Sequence, residues 1–262
     1  MNIKNILTSV LYKLRGSLVI LLLMLHANAS ASYEAFPANE GPYVSGPAST
    51  QLPWAGENFE NNNLGILECS YASNAINHFD VTSGCLSTVK QSTTSGQLLR
   101  GWVDSSVFRV LAIGRNSTGK EIKWTEQSAQ YNAYIDRWHN GGDIPNWSGL
   151  HVFARYRTSD DLYVASLRYD GKITIKRKWK GVYTTLAQGV LNNKTKTYLD
   201  ENGKLSTGQW YLLNFTVVGK ELKFYVDGVL VLQTNSSTFS WGTTGIRTDN
   251  TDVYIDDWKL QY

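Results

Sequence analysis

Five cations recur at alternate positions of three neighbouring segments in the second half of the chain: Arg155 and Arg157, then Arg168, then Lys176 and Lys178, with no acid among them. Side chains alternate between the two faces of a strand. In extended conformation Arg155 and Arg157 share a face with His151 and Phe153, while Lys176 and Lys178 share one with Lys172 and Thr174. A trough lined this way suits an extended polyanion, because guanidinium forks match carboxylates in pairs and ammonium groups add point charge. Two later segments contribute Asn214, and Lys223 with Tyr225, at polar positions.

Cleavage of a uronate chain by β-elimination needs a group that neutralises the C6 carboxylate, a base for the C5 proton and an acid for the leaving oxygen. His151, Arg155, Arg157, Arg168, Asn214 and Lys223 form the expected substrate-binding set. Lys176 and Lys178 are the candidate bases, since like charges depress a lysine, and Tyr225 is the candidate acid. The plain alternative is that Lys and Arg on the outside of a sheet are solvated residues that discourage edge pairing.

Other chemistries are poorly represented. A glycosidase needs paired carboxylates, and no Glu-x-Asp-x-x-Glu stretch occurs. His78 and His139 lie in loop-like settings, and Cys69 and Cys85 with only His78 nearby make a poor metal site. No resident metal or cofactor is expected. Trp138, Trp147, Trp179 and Trp241 could stack on sugar rings, although core packing is the commoner fate of a tryptophan.

Residues 1–16 carry Lys4, Lys13 and Arg15 without an acid, and Leu18–Leu25 is an unbroken apolar run followed by small residues. This is the pattern of a cleaved secretory leader over residues 1–31, and the run is shorter than the roughly 20 residues that span a bilayer. Without those three cations the 25 Lys and Arg fall to 22, equal to the 22 Asp and Glu. A neutral mature chain argues against a nucleic-acid partner. A soluble, monomeric protein outside the cytoplasm, extracellular or periplasmic, is expected, with Cys69 and Cys85 joined as a disulfide in that oxidising setting.

Residues 32–56 hold four of the five prolines and show no period, as an extended tail would. From residue 57 to 262 short alternating runs rich in Val, Ile, Tyr, Phe and Trp are separated by Gly, Asn, Asp and Ser. That pattern predicts a single all-β domain, an antiparallel two-sheet sandwich with little helix. Predicted strands include Leu150–Arg157, Leu162–Tyr169, Lys172–Trp179, Val182–Ala187, Trp210–Val218, Glu221–Val226 and Val229–Thr234, with Asp170-Gly171, Asp227-Gly228 and Gly219 in hairpin turns. The stretch Leu99–Asn146 has no clear register, although Gln127, Gln130, Asn132, Tyr134 and Arg137 are further candidates for the trough.

His151-Val-Phe-Ala-Arg-Tyr, Asp161-Leu-Tyr-Val-Ala-Ser-Leu-Arg, Gly208-Gln-Trp-Tyr, Leu222-Lys-Phe-Tyr-Val-Asp-Gly, Gly245-Ile-Arg-Thr and Tyr254-Ile-Asp-Asp-Trp together resemble the concanavalin-A-like lectin and glucanase superfamily of jelly-roll proteins. The resemblance covers residues 150–262 well and the rest weakly. It implies a jelly-roll sandwich and a polysaccharide partner, and within that superfamily the cationic trough points to an acidic, alginate-like or glucuronan-like chain. The scaffold serves lectins, binding modules, glycosidases and lyases alike. The Arg-x-Glu-x-Arg, Gln-Ile-His and Tyr-x-Lys-x-Gly-x-Tyr-x-Gln strands of familiar jelly-roll alginate lyases are missing, whereas Ile173–Ala187 is similar to smaller lyases that rely on Lys and Tyr. A lyase is therefore the leading expectation and a non-catalytic binding module its rival. Related folds sometimes hold a structural calcium, for which Glu60, Asp256 and Asp257 are the candidate ligands.

Overall fold

The computed structural model describes residues 56–57, 59, 65–70, 79–93, 96–115, 121–139, 143–191 and 197–261. The expected leader, all of the expected tail except Gly56, and also Glu60 and His78, lie outside the described residues.

Eighteen strands occur among them, and no helix. In chain order the first nine are β1 (Gly56–Glu57), β2 (Gly65–Cys69), β3 (Phe79–Ser83), β4 (Cys85–Thr93), β5 (Gly96–Val103), β6 (Val107–Ala112), β7 (Gly114–Arg115), β8 (Glu121–Ile122) and β9 (Gln127–Trp138). The remainder are β10 (Gly149–Thr158), β11 (Asp161–Arg168), β12 (Lys172–Trp179), β13 (Val182–Val190), β14 (Gln209–Val218), β15 (Glu221–Val226), β16 (Val229–Asn235), β17 (Thr243–Asp249) and β18 (Thr251–Gln261). A nine-stranded sheet runs β16-β15-β14-β9-β18-β5-β4-β2, with β1 also on β18, and a seven-stranded sheet runs β13-β12-β11-β10-β17-β6-β3. All pairings in both sheets are antiparallel. The chain is thus the all-β, two-sheet antiparallel sandwich expected of a jelly roll.

Alternation builds the core. In β14, Tyr211, Leu213, Phe215 and Val217 are fully buried, and Leu212, Asn214, Thr216 and Val218 turn outward. Leu222, Phe224 and Val226 of β15 join them, with the Phe215 and Phe224 rings edge to face at 6.5 Å. The seven-stranded sheet supplies Leu150, Val152 and Ala154 from β10, Tyr163, Ala165 and Leu167 from β11, and Ile173 and Ile175 from β12 to the same cluster. Each large apolar side chain removed from water contributes roughly 1.5–3 kcal/mol, so these paired inner faces hold the sheets together. Asp227 and Gly228 both take positive φ in the two-residue β15–β16 turn, the backbone that a tight hairpin requires.

Cys69 and Cys85 are paired residues of β2 and β4 and form a disulfide 16 positions apart in sequence, as an oxidising compartment permits. Closing a loop of this length stabilises the folded state by about 3 kcal/mol in the chain-entropy account. Reduction, or Cys69→Ala with Cys85→Ala, is therefore expected to lower the urea unfolding midpoint by a corresponding amount. An unchanged midpoint would show that the β2–β4 edge contributes nothing to the cooperative fold.

Candidate functional site

The alternation inferred for β10 fails at one place, and the failure reorganises the site. Pairing with β11 runs regularly from Gly149 to Ala154 and then slips before Thr158, and pairing with β17 slips between Phe153 and Tyr156. Arg155 takes a φ of 46° within this bulge. One inserted residue switches every later side chain to the other face. Tyr156 consequently joins Phe153, Leu162 and Val164 in a small apolar cluster on the outer face, with its ring 5.7 Å from that of Phe153.

Arg155 does not enter a trough. It is 3% exposed, its backbone N–H donates to Gln127 Oε1 at 2.9 Å, and its guanidinium donates to Thr125 O at 2.7 and 3.0 Å and to Phe239 O at 2.7 Å. Arg157 lies 4.5 Å over the Trp241 ring. Lys178 donates to Ser159 O and pairs with Asp160, both at 2.9 Å. The expected partners Asn214, Lys223 and Tyr225 project from β14 and β15, on the outer face of the nine-stranded sheet. There Lys223 pairs with Glu221 at 2.6 Å, and Asn214 donates to Ser128 Oγ at 3.0 Å. Lys176 and Lys178 therefore face one side of the sandwich and Tyr225 the other, so this trio cannot serve one glycosidic bond. Gln127 is buried beneath Arg155, and Gln130, Asn132 and Tyr134 also belong to the nine-stranded face.

Asn214, Lys223 and Tyr225 do meet one another on that nine-stranded face, in a cleft of about 440 Å³ that Gln130 and Glu221 also line. Three other expected residues meet on the opposite face. His151, Arg168 and Lys176 line a cleft of about 360 Å³ on the outer face of the seven-stranded sheet, together with Trp147, Ser166, Thr174, Tyr183, Arg247 and Asp249. Cross-strand register assembles its floor: Arg247 of β17, His151 of β10, Ser166 of β11 and Thr174 of β12 are successive partners. Ser166 Oγ and His151 Nδ1 are 2.8 Å apart, and His151 Nε2 lies 3.0 Å from Asp249 Oδ2. Arg247 grips Asp249 through Nε and Nη2 at 2.8–3.0 Å. Arg168 reaches Asp170 at 2.8 Å and the carbonyl of Asn146 at 3.3 Å. Lys176 has no carboxylate partner among the described residues and stands 5.9 Å from the Tyr183 ring. Trp147 and Tyr183, 48% and 50% exposed, stand at the rim.

The electrostatics follow from burial. Desolvation lowers the pKa of His151, Arg247 and Lys176 push it further down, and the bond and charge of Asp249 offset this only in part, so the imidazole stays neutral. Burial alone would raise Asp249, but His151 and Arg247 outweigh it and hold the carboxyl below its ordinary value. Lys176 is lowered by burial and by Arg168, against a smaller pull from Asp170. An unfolded imidazole takes up a proton as pH drops through about 6.5, whereas folded His151 resists it, so stability falls on acidification from there. Asp249 adds stability present above the ordinary carboxylate value of about 4 and lost as pH falls through its lower folded value. Urea unfolding between pH 7.5 and 5 should show the decline, and His151→Gln should flatten it. An equal slope in that variant would contradict the assignment.

The order Ser166–His151–Asp249 has the composition of a nucleophile relay, but the neighbouring strands occupy the backbone of the floor with ladder pairing on both sides. An acyl-transfer site needs donors aimed at a developing oxyanion. The array is better suited to presenting a rigid row of hydrogen-bonding groups to hydroxyls and carboxylates. Asp256 is engaged by Arg100 at 2.6 Å, and Asp257 by Lys259 at 3.2 Å and Asn132 at 3.3 Å. Glu60, the third candidate calcium ligand, lies outside the described residues, among which no group of three or more His, Cys, Asp and Glu is placed to hold a metal ion.

Arg247, Asp249 and Tyr183 were missing from the sequence-based site, and Trp147 was named only as a possible sugar-stacking ring for which core packing was the commoner expectation. Alternation about Ile246 marks Arg247 and Asp249 as outward, but nothing local shows that β17 lies beside β10.

No protein-family model matches the chain, and no curated protein matches it. Among solved structures, it is similar to the carbohydrate-binding module CBM66 from Bacillus subtilis, with 14% identity over 70% of this chain and 95% of that one and a TM-score of 0.47. It is also similar to domain 4 of AbnA, an extracellular arabinanase from Geobacillus stearothermophilus solved with arabinotriose, with 12% identity over 80% and 92% and a TM-score of 0.46. A third likeness is to lectin I-B4 from Griffonia simplicifolia in its metal-free form, with 10% identity over 67% and 86% and a TM-score of 0.40. Likenesses of this degree concern chain architecture alone.

Proposed function

We propose that the chain is a lectin-like, non-catalytic carbohydrate-binding module, exported from the cytoplasm, whose seven-stranded face takes an acidic polysaccharide. The observation that carries this reading is Lys176, a cation without a carboxylate partner among the described residues, set beside Arg168 in a cleft flanked by exposed Trp147 and Tyr183. Aromatic rings cover the C–H faces of sugars, and fixed charged donors and acceptors read hydroxyl and carboxylate edges. The floor from Ser166 to Arg247 is braced by its own bonds, so little order has to be gained when a ligand arrives. Affinity electrophoresis tests the reading: migration should be retarded in gels containing alginate or glucuronan and not in gels containing a neutral glucan. Equal retardation in all three would remove the acidic preference, and none in any would remove the function.

One observation supports a β-eliminating lyase as a second reading. The lowered amine of Lys176 beside Tyr183 places a potential base and acid in the same cleft. Here Lys176 would take the C5 proton, the C4–O bond would break, and Tyr183 would protonate the departing oxygen. This reading ranks second because Tyr183 is half exposed and Tyr225, the acid first expected, is on the opposite face. Ultraviolet absorbance of an unsaturated product, lost in Lys176→Ala, would promote it.

A further inference from the structure

The opposite side of the sandwich carries a second constellation. Trp210 of β14, Tyr134 of β9, Tyr254 of β18 and Trp102 of β5 occupy four adjacent strands and are direct register partners in that order. Their ring centroids are 5.6, 5.9 and 4.6 Å apart along the row. Each flanking residue that points inward belongs to the core, including Tyr211, Ala133, Ile135, Val253, Ile255 and Val103, so the row faces outward. All four rings keep part of their surface exposed.

We propose that this row is a second glycan-binding surface, on which an uncharged polysaccharide chain lies across the strands with its sugar rings against successive aromatics. Cross-strand aromatic pairs do stabilise sheets. A pair would suffice for that, whereas here a continuous row of four crosses the face outside a core that is already filled. The polar groups beside it are matched to hydroxyls. Arg100 lies 5.5 Å over Trp210 and is held at 2.6 Å by Asp256, Asn132 donates to Asp257, and Asp136 is exposed close to Tyr254. Arg100 and Lys259 are each paired with an acid of the same strand, β18, so these cations are neutralised locally, in contrast to Lys176 in the opposite cleft. An uncharged partner with apolar ring faces and hydroxyl edges fits that balance, and the length of the row requires a chain rather than one sugar. With sites on both outer faces, a single copy of the protein would bridge two polysaccharides, gaining avidity without a second domain.

The test uses the intact mature protein and the neutral hexasaccharides of β-1,4-glucan, β-1,3-glucan and β-1,4-xylan as probes. At least one should shift the indole N–H resonances of Trp102 and Trp210 in a nuclear magnetic resonance titration of unaltered protein, leaving Trp147 unmoved. Trp102→Ala with Trp210→Ala should weaken that binding at least tenfold, while Trp147→Ala leaves it intact. Absence of any shift with all three probes would overturn the proposal. So would shifts confined to Trp147, or a concentration-dependent self-association abolished by the double variant, which would make the row a protein interface. Because the probes are neutral and the indoles are read separately, failure here leaves the acidic-glycan reading of the other face standing, and the reverse holds too.

Discussion

Replacing Arg155 by methionine is expected to lower the melting temperature by roughly 6–12 °C, the largest stability effect of any candidate site residue. The guanidinium satisfies the carbonyls of Thr125 and Phe239 at a site where the side chain is almost wholly withdrawn from water. Methionine keeps most of the volume but leaves those acceptors unpaired. The loss of bonds to a charged donor together with desolvated carbonyls costs about 3 kcal/mol, and in a domain of this size each kcal/mol moves the midpoint by about 2–4 °C. Lysine should restore only part of it, since an ammonium cannot reproduce the planar fork. Differential scanning calorimetry reads the outcome. A shift below about 2 °C, smaller than one kcal/mol would produce, would mean that the bulge is held by Gln127 and the ladder alone.

The second large effect concerns Trp147. Its side chain stands at the cleft rim and is about half exposed, so truncation should leave the fold intact while removing a stacking surface. Trp147→Ala is expected to weaken binding of uronate oligosaccharides by about tenfold or more, equivalent to at least about 1.4 kcal/mol. Isothermal titration with oligomannuronate or oligoglucuronate checks this, with the unchanged melting temperature as control. Trp179, equally exposed but associated with Arg177 and Lys180 away from the cleft floor, provides the comparison: Trp179→Ala should bind normally. Equal losses in both variants would show that general surface hydrophobicity, rather than the cleft, holds the ligand.

Much of the fold was legible because its signals are local. Period-two alternation in β14 and β15 marks which side chains enter the core, and Asp227-Gly228 marks a turn whose geometry few other residues tolerate. The site was legible only in part, because its assembly is not local. β17 lies beside β10, so Arg247 and Asp249 come from almost a hundred residues beyond His151 to complete the floor. β14 and β15 follow β13 in the chain yet join the other sheet, which removes Asn214, Lys223 and Tyr225 from the face that holds Lys176. The Arg155 bulge is invisible to alternation: an extra residue leaves the polar and apolar pattern unremarkable and reverses which face each later side chain joins. Tryptophan exposure was also misjudged at Trp147 and Trp179, where core packing was the commoner expectation and both side chains are about half exposed.

Under the proposed function an acidic glycan occupies the seven-stranded face at Lys176. That occupancy is tested most directly by titrating isotopically labelled protein with a defined uronate oligosaccharide and following backbone and indole signals by nuclear magnetic resonance. Saturable shifts are expected at Trp147, Ser166, Lys176 and Arg247, abolished by Lys176→Ala. Shifts that avoid these four residues, or that survive the loss of the Lys176 amine unchanged, would contradict it.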